Sequence, residues 1–499
     1  MSSSPRRRTA SRMFAEPSRV KRTSNQSADG REDPAPVHQA FIQACELRGV
    51  RSTDSTAQKM LALMGAGWDQ VKGSLYRNAL FLMATAVIGN AVGAFFWVVV
   101  FNRFQLSDLG AAVTLFSTLG FLGGLGSLGM GVGLIRYIPE SEDKTTLVNV
   151  GMTVSGLVSV VICIGFLFLI PVLVPSLSFA LDPLYIATII FCTLAFGIAP
   201  VLDAAVIASR RADLSTFRTA LYAVLKIPIA IVALSFLLFR GRAGVFFSLA
   251  SSFIVSVIVA ATVFLPRVIP GYRPKPDFRI DRIRPIFRFS FGNYVAGVVG
   301  SAGTLLPTIF IYTMLGPNGA TNAAFFYVAL VVAGLLFVIP GAVFTSFYAE
   351  ASHKDIDRRR TERSAIRFSL ALLVPAIAGL WIFAEPILRL FNAEVAIQSV
   401  TPLRILTFAS IPTVLNQILG TRVRVRKRTL PLIISGAIFS GVTLGLGYIL
   451  VQNPAFGING LAYAYVLGQA AATPYLYYVA RGAYEEAVPT EPILGQPLE

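Results

Sequence analysis

From residue 78 to residue 480 the chain alternates long apolar runs with short polar ones, and twelve of the apolar runs reach twenty residues or more. They span 78–101, 109–135, 147–173, 184–208, 219–239, 244–265, 287–314, 321–347, 364–383, 400–419, 430–451 and 458–480. About 20 apolar residues in a helix cross a hydrocarbon layer of ~30 Å, so each run predicts a transmembrane helix. The polar breaks alternate in charge as well. One set carries Arg136 and Lys144, Arg210, Arg211 and Arg218, seven cations from Arg267 to Arg288, six from Lys354 to Arg367 and five from Arg422 to Arg428. The opposite set holds only Arg103, Arg240, Arg242 and Arg389. By the positive-inside rule the cationic set is cytoplasmic, which predicts a multi-pass protein of the cytoplasmic membrane with both termini inside.

Composition agrees: 55% of residues are hydrophobic and 14% charged, with a mean hydropathy of +0.67. A net charge of +17 would suggest nucleic acid in a water-soluble chain. Here the placement of the cations accounts for it, and no nucleic-acid partner is expected. Cys163 and Cys192 fall inside apolar runs and Cys45 in the tail, so no extracytoplasmic disulfide framework is expected. His38 and His353 stand far apart in cytoplasmic segments, which argues against a metal site or a His-based triad.

The organisation reads as a cytoplasmic tail over 1–74, a six-helix lobe over 75–266, a basic connector over 267–285, a second six-helix lobe over 286–481 and a C-terminal tail over 482–499. Ser, Arg and Pro dominate to about residue 34 and predict disorder. A short amphipathic pattern through Phe41, Ile42, Cys45, Met60, Leu61, Leu63 and Met64 follows. The tail attaches to anionic lipid, or is uninvolved, or reflects an overextended start codon with Met60 or Met64 as the true start. Nothing before Phe81 resembles a signal peptide. Six spans per half give both halves one orientation, so a repeat would be parallel. A weak echo supports one: Arg136-Tyr137-Ile138-Pro139-Glu140 closes span two, and Ser346-Phe347-Tyr348-Ala349-Glu350 closes span eight.

Charges within apolar runs are costly and mark candidate sites. Asp203 and Lys226 lie in adjacent antiparallel runs and are expected to form an ion pair, or else to leave Lys226 facing a cavity while Asp203 tunes it. Arg404 either snorkels to the interface or meets a phosphate. Arg77, Arg136 and Arg288 sit at cytoplasmic helix ends, as anchors or as the forks of a vestibule, with Glu140 and Glu350 as further acids for pairing or coupling. Asn90, Asn293, Asn416 and Gln417 either bind sugar hydroxyls or fasten helices. Seven glycines from Gly120 to Gly133 in span two allow close helix approach or a mobile helix. Pro200, Pro228, Pro307, Pro340, Pro375, Pro412 and Pro474 predict kinks. No Gly-x-x-x-x-Gly-Lys-Ser/Thr sequence is present, and the longest extracytoplasmic loop, 384–399, has no room for a catalytic domain. A non-enzymatic secondary transporter remains.

The starts Tyr76-Arg77-Asn78 and Arg288-Phe289-Ser290, the Gly-rich span two and the segment Leu134-Ile135-Arg136-Tyr137-Ile138-Pro139-Glu140 together resemble the polysaccharide-transporter branch of the multidrug/oligosaccharidyl-lipid/polysaccharide (MOP) superfamily, the Wzx-type flippases. The likeness covers residues 75–481. It implies an all-α, MATE-like V of two lobes around a cationic cavity, and movement of an undecaprenyl-pyrophosphate-linked glycan between leaflets, with glycan polymerase or glycosyltransferases as partners beside the membrane lipids. Drug-extruding relatives commonly use an acid in span one, where this chain offers Asn90. A flippase of lipid-linked oligosaccharide, free of cofactors and driven by H+ or Na+, is the leading expectation. A cation-coupled multidrug exporter and a non-transport subunit of a glycan-synthesis complex are the alternatives.

Overall fold

The computed structural model describes residues 92–235, 241–351, 358–425 and 429–481, and every regular element within them is helical. α1 is Val92–Arg103. In order follow α2 (Leu106–Gly126), α3 (Met130–Glu140), α4 (Lys144–Leu173), α5 (Pro183–Ala208), α6 (Ala212–Ser235) and α7 (Arg242–Val268). The second half holds α8 (Arg284–Leu305), α9 (Pro307–Met314), α10 (Gly319–Ala351), α11 (Arg358–Ile382), α12 (Ala384–Arg389), α13 (Ala393–Thr407), α14 (Ser410–Val425), α15 (Leu430–Gln452) and α16 (Gly457–Ala480). Among the described residues 10 helical segments are long and apolar enough to cross a membrane, and they coincide with expected spans two to eleven. Of the other two, span one is described only as α1, and span twelve is the 24-residue α16.

Three runs expected as single helices are divided. Span two breaks between α2 and α3, where Leu128 and Gly129 take φ of 51° and 68°. That left-handed geometry suits Gly129 but strains a leucine. A Cβ on Gly129 would also lie 2.5 Å from Cβ of Tyr294 in α8, so close packing and backbone turn both demand glycine here. Span seven breaks at Leu306, ahead of Pro307, whose missing N–H and fixed φ suit the first turn of α9. Span ten breaks between α13 and α14, where the Thr407 and Ser410 hydroxyls donate to the carbonyls of Arg404 and Thr407. Pro200, Pro228, Pro340, Pro375 and Pro474 lie inside helices that continue past them, so none of these five ends its helix. The expected loop 384–399 is largely helical, because Asn392 Oδ1 accepts the Glu394 N–H at 2.8 Å and starts α13.

One buried apolar cluster runs across both halves at the end where few cations stand, joining Phe96, Phe101 and Leu109 to Ile311, Phe326, Leu388 and Phe391. Towards the cation-rich end the cores separate. One cluster is almost wholly first-half, around Leu134, Val201 and Phe264, and two smaller ones belong to the second half, around Leu373 and Val423. The two halves are therefore zipped at one end and held by a narrower contact at the other.

The basic connector does not swing free of the first half. Asn149 Nδ2 of α4 donates to the Arg273 carbonyl at 3.0 Å, the Asp277 N–H donates to Thr153 Oγ1 at 3.0 Å, and Arg279 Nη2 donates to Thr146 Oγ1 at 2.7 Å. The Arg279 guanidinium also forks onto the Asp277 carboxylate and holds its pKa down at about 2.

Candidate functional site: the seam between the halves

Two cations lie buried on α6, eight residues apart, and their surroundings differ. Arg218 forks onto Asp203 of α5, with Nε to Oδ1 at 2.9 Å and Nη2 to Oδ2 at 2.7 Å. The expected partner for Asp203 was Lys226, and this is corrected. The turn between α5 and α6 lies at Ser209–Arg211, so Arg218 faces Asp203 across it, while Lys226 stands roughly 22 Å along α6 from the same turn. Lys226 is 5% exposed, with its ammonium 4.7 Å from the ring centre of Phe96, 5.1 Å from Tyr222 and 5.6 Å from Trp97. Cation–π attraction to such faces partly offsets its lost hydration. Among the described residues no carboxylate pairs with it.

This aromatic box stands on the seam. Trp97 of α1 meets Tyr327 of α10 with ring centres 4.9 Å apart. Beyond it the zipped end is closed by Asn102 Nδ2 donating to the Leu390 carbonyl at 3.0 Å, by Phe101 against Phe391, and by Tyr312 Oη donating to the Ser176 carbonyl at 3.1 Å. Gly110 of α2 lies so near the Ala320 carbonyl of α10 that any side chain would collide. At the other end Tyr294 Oη donates to the Leu125 carbonyl at 2.5 Å, a group freed by the break after α2. Gly133 packs on Ile286 and Ser290 there. Gly123, Gly126, Gly129 and Gly133 of span two thus serve close approach, whereas a Cβ at Gly124 would meet nothing within 4 Å.

The remaining sequence candidates scatter. Arg136 is exposed and lies 4.7 Å over the Phe289 ring, so it bridges α3 and α8 at the cation-rich mouth of the seam, beside exposed Arg288. Glu140 is exposed near it. Asn293 is half-buried on α8, a helix with only Ile286, Ser290 and Gly303 fully buried. Asn416 fastens helices: it donates to the Gln469 carbonyl at 2.8 Å and accepts from Thr473 Oγ1 at 2.9 Å. Gln417 is half-buried one residue on. Arg404, expected either to snorkel or to meet a phosphate, is half-buried on α13. It shares an outward stripe of α13 with Ile397, 76% exposed, and Phe408, and stacks 4.6 Å over Trp381. Arg77, Asn90 and the side chain of Glu350 lie outside the described residues.

Sequence reasoning missed Arg218 and the pair formed by Glu362 of α11 with Arg422 of α14. Counting residues from the turn, rather than from the nearest cation, would have paired Asp203 with Arg218.

The chain is a multi-pass membrane protein with the fold of MOP-superfamily transporters. It superposes with a TM-score of 0.59 on the inward-facing conformation of a multidrug resistance MATE family transporter of that superfamily, at 15% identity over 80% of this chain and 96% of the other. The outward-facing conformation of such a transporter gives 0.57, at 17% identity over 83% and 97%. The lipid II flippase MurJ in its inward closed conformation gives 0.61, at 14% identity over 81% and 87%. No family model matches the chain. In sequence it is similar to the succinoglycan biosynthesis transport protein ExoT of Rhizobium meliloti (strain 1021), 25% identical over 154 residues, which is 30% of this chain and 30% of that relative.

Proposed function

We propose that this chain carries a polyprenyl-pyrophosphate-linked oligosaccharide across the cytoplasmic membrane by alternating access, for surface-polysaccharide biosynthesis. Lys226 carries the reading: a buried ammonium on the seam whose surroundings offer π faces and, among the described residues, no carboxylate. A diphosphate crossing ~30 Å of hydrocarbon needs a matching charge along its route, and an ammonium already neutralised by an acid would not supply one. The partial likeness to a succinoglycan transport protein and the fold shared with a lipid II flippase favour this substrate class over a cationic drug.

The positive-inside rule makes the cation-rich end cytoplasmic, with both termini there. The zipped end is then extracytoplasmic, and the narrower contact between the halves faces the cytoplasm. Arg136 and Arg288 receive the pyrophosphate at the mouth, and Lys226 meets it once α1 withdraws the rings of Phe96 and Trp97. Asn293 offers a hydrogen bond to the glycan. Coupling to H+ or Na+ drives the cycle without a cofactor, and the glycosyltransferases or polymerase that supply and consume the lipid are the partners. The chain itself performs no chemistry.

The test is reconstitution of the full chain alone in vesicles. A labelled polyprenyl-pyrophosphoryl sugar should change leaflets, and an organic cation should not be expelled. Drug efflux without lipid movement would establish the multidrug reading, and neither activity would favour a synthesis subunit.

A further inference from the structure

The box around Lys226 holds two phenols whose hydroxyls the fold leaves unused. Tyr222 stands one turn before Lys226 on α6, and its ring is fixed by Phe116 of α2, stacked with centres 6.3 Å apart, and by Phe253 of α7, edge-on at 5.5 Å. The same ring takes the Lys226 ammonium at 5.1 Å. Tyr327 belongs to the other half, on α10, and its ring is held 4.9 Å from that of Trp97. The two phenols are near enough for the charge of one to act on the other. Among the described residues neither hydroxyl has a hydrogen-bond partner, and neither is sealed from water. A phenol in a protein interior ordinarily finds a partner for its O–H. Trp97 is the neighbour that Lys226 and Tyr327 share, since the ammonium lies 5.6 Å from the centre of its ring. The indole thus fills a space flanked by an ammonium on one half and a free phenol on the other.

We infer that Tyr222 and Tyr327 are hydrogen-bond donors to the anion that Lys226 neutralises, and that Tyr327 selects a diphosphate over a monophosphate. The inference rests on the reading of Lys226 as the counter-charge. Once α1 withdraws the indole, the phosphoryl group beside Lys226 accepts from Tyr222, its neighbour on the same helix. A second phosphoryl group reaches across the vacated space to Tyr327, which a single one is too short to do. An O–H donating to a charged oxygen makes a strong bond, and a neutral donor carries no charge to be left unpaired in the apolar interior when the site is empty. Because the two phenols come from different halves, the bound diphosphate bridges α6 and α10.

Titration of the purified full chain with geranyl pyrophosphate and with geranyl monophosphate, alongside thermal unfolding, reads the roles separately. The wild type should bind the pyrophosphate more tightly. Tyr327→Phe should weaken pyrophosphate binding about tenfold and leave the monophosphate within about twofold, which removes the preference. Tyr222→Phe should weaken both ligands by about the same factor and keep the preference. Neither change should lower Tm, because the empty protein loses no hydrogen bond. Wild-type pyrophosphate affinity in both variants, an equal loss of both ligands in Tyr327→Phe, or a fall in Tm would each overturn the assignment. Lys226→Met separates the two claims. Loss of binding there, with full binding by the phenylalanine variants, would refute the phenols alone; binding retained by Lys226→Met, or absent from the wild type, would refute the counter-charge itself.

Discussion

Arg218 and Lys226 sit on one helix two turns apart, both hidden from solvent, yet among the described residues only the first is met by an acid. The paired cation lies near the turn, where Asp203 and Arg218 together fasten α5 to α6. The unpaired one lies deep, against α1, at the joint between the halves. Burial by itself therefore does not mark a functional cation in a membrane. The partner does: a carboxylate satisfies the charge permanently, whereas aromatic faces hold it weakly enough to be exchanged for an anion.

The strongest way to break this contrast is to make Lys226 resemble Arg218. A Cβ at Gly93 would lie 3.7 Å from Nζ of Lys226, so Gly93→Asp places a carboxylate beside the ammonium. Lipid translocation should fall about a hundredfold, the equivalent of roughly 2.7 kcal/mol, while Tm stays level or rises. The reverse change, Asp203→Asn, leaves Arg218 without its acid. It should lower unfolding stability by about 2–3 kcal/mol, somewhat less than a fully enclosed pair because Asp203 keeps 24% of its side chain exposed. Transport per folded molecule should stay within about twofold of wild type, an interval of only ~0.4 kcal/mol in activation free energy.

Gly129→Ala serves as a control remote from both cations. Positive φ and the crowding of Tyr294 should remove about 1–3 kcal/mol, read as a fall in Tm. The smallest effect belongs to the pair of Asp277, whose side chain is largely covered, with half-exposed Arg279. The Asp277 carboxyl is held at about 2, below its ordinary 3.8, so its contribution is fully present above pH 3.8 and disappears as pH falls through 2. Hydrogen exchange in the connector should accordingly be unchanged between pH 7 and pH 5, after correction for the intrinsic rate. Proteolysis by pepsin should open the connector only near pH 2.

Most of the helices were legible in the apolar runs, because a bilayer demands a full-length apolar helix at every crossing. Their interruptions were not. Leu128 and Gly129 break span two through a packing contact with Tyr294, some 165 residues away in sequence, which no local propensity reveals. Five prolines sit inside helices that continue past them, where neighbouring packing tolerates the missing N–H. Lys226 was visible as an ionisable group in an apolar run. Its box was invisible, since Phe96, Trp97 and Tyr222 are ordinary core residues until the fold gathers them. Arg404 was equally visible, but only the stripe it shares with Ile397 and Phe408 reveals that it faces outward.

The central claim is that Lys226 is the counter-charge for the anion of a translocated lipid. The most direct test compares wild type, Lys226→Met and Lys226→Arg in vesicles, scoring movement of a labelled polyprenyl-pyrophosphoryl sugar against each variant's Tm. Translocation should drop to background in the methionine variant, with Tm unchanged or raised, and return in part with arginine. Wild-type translocation by Lys226→Met would contradict the account.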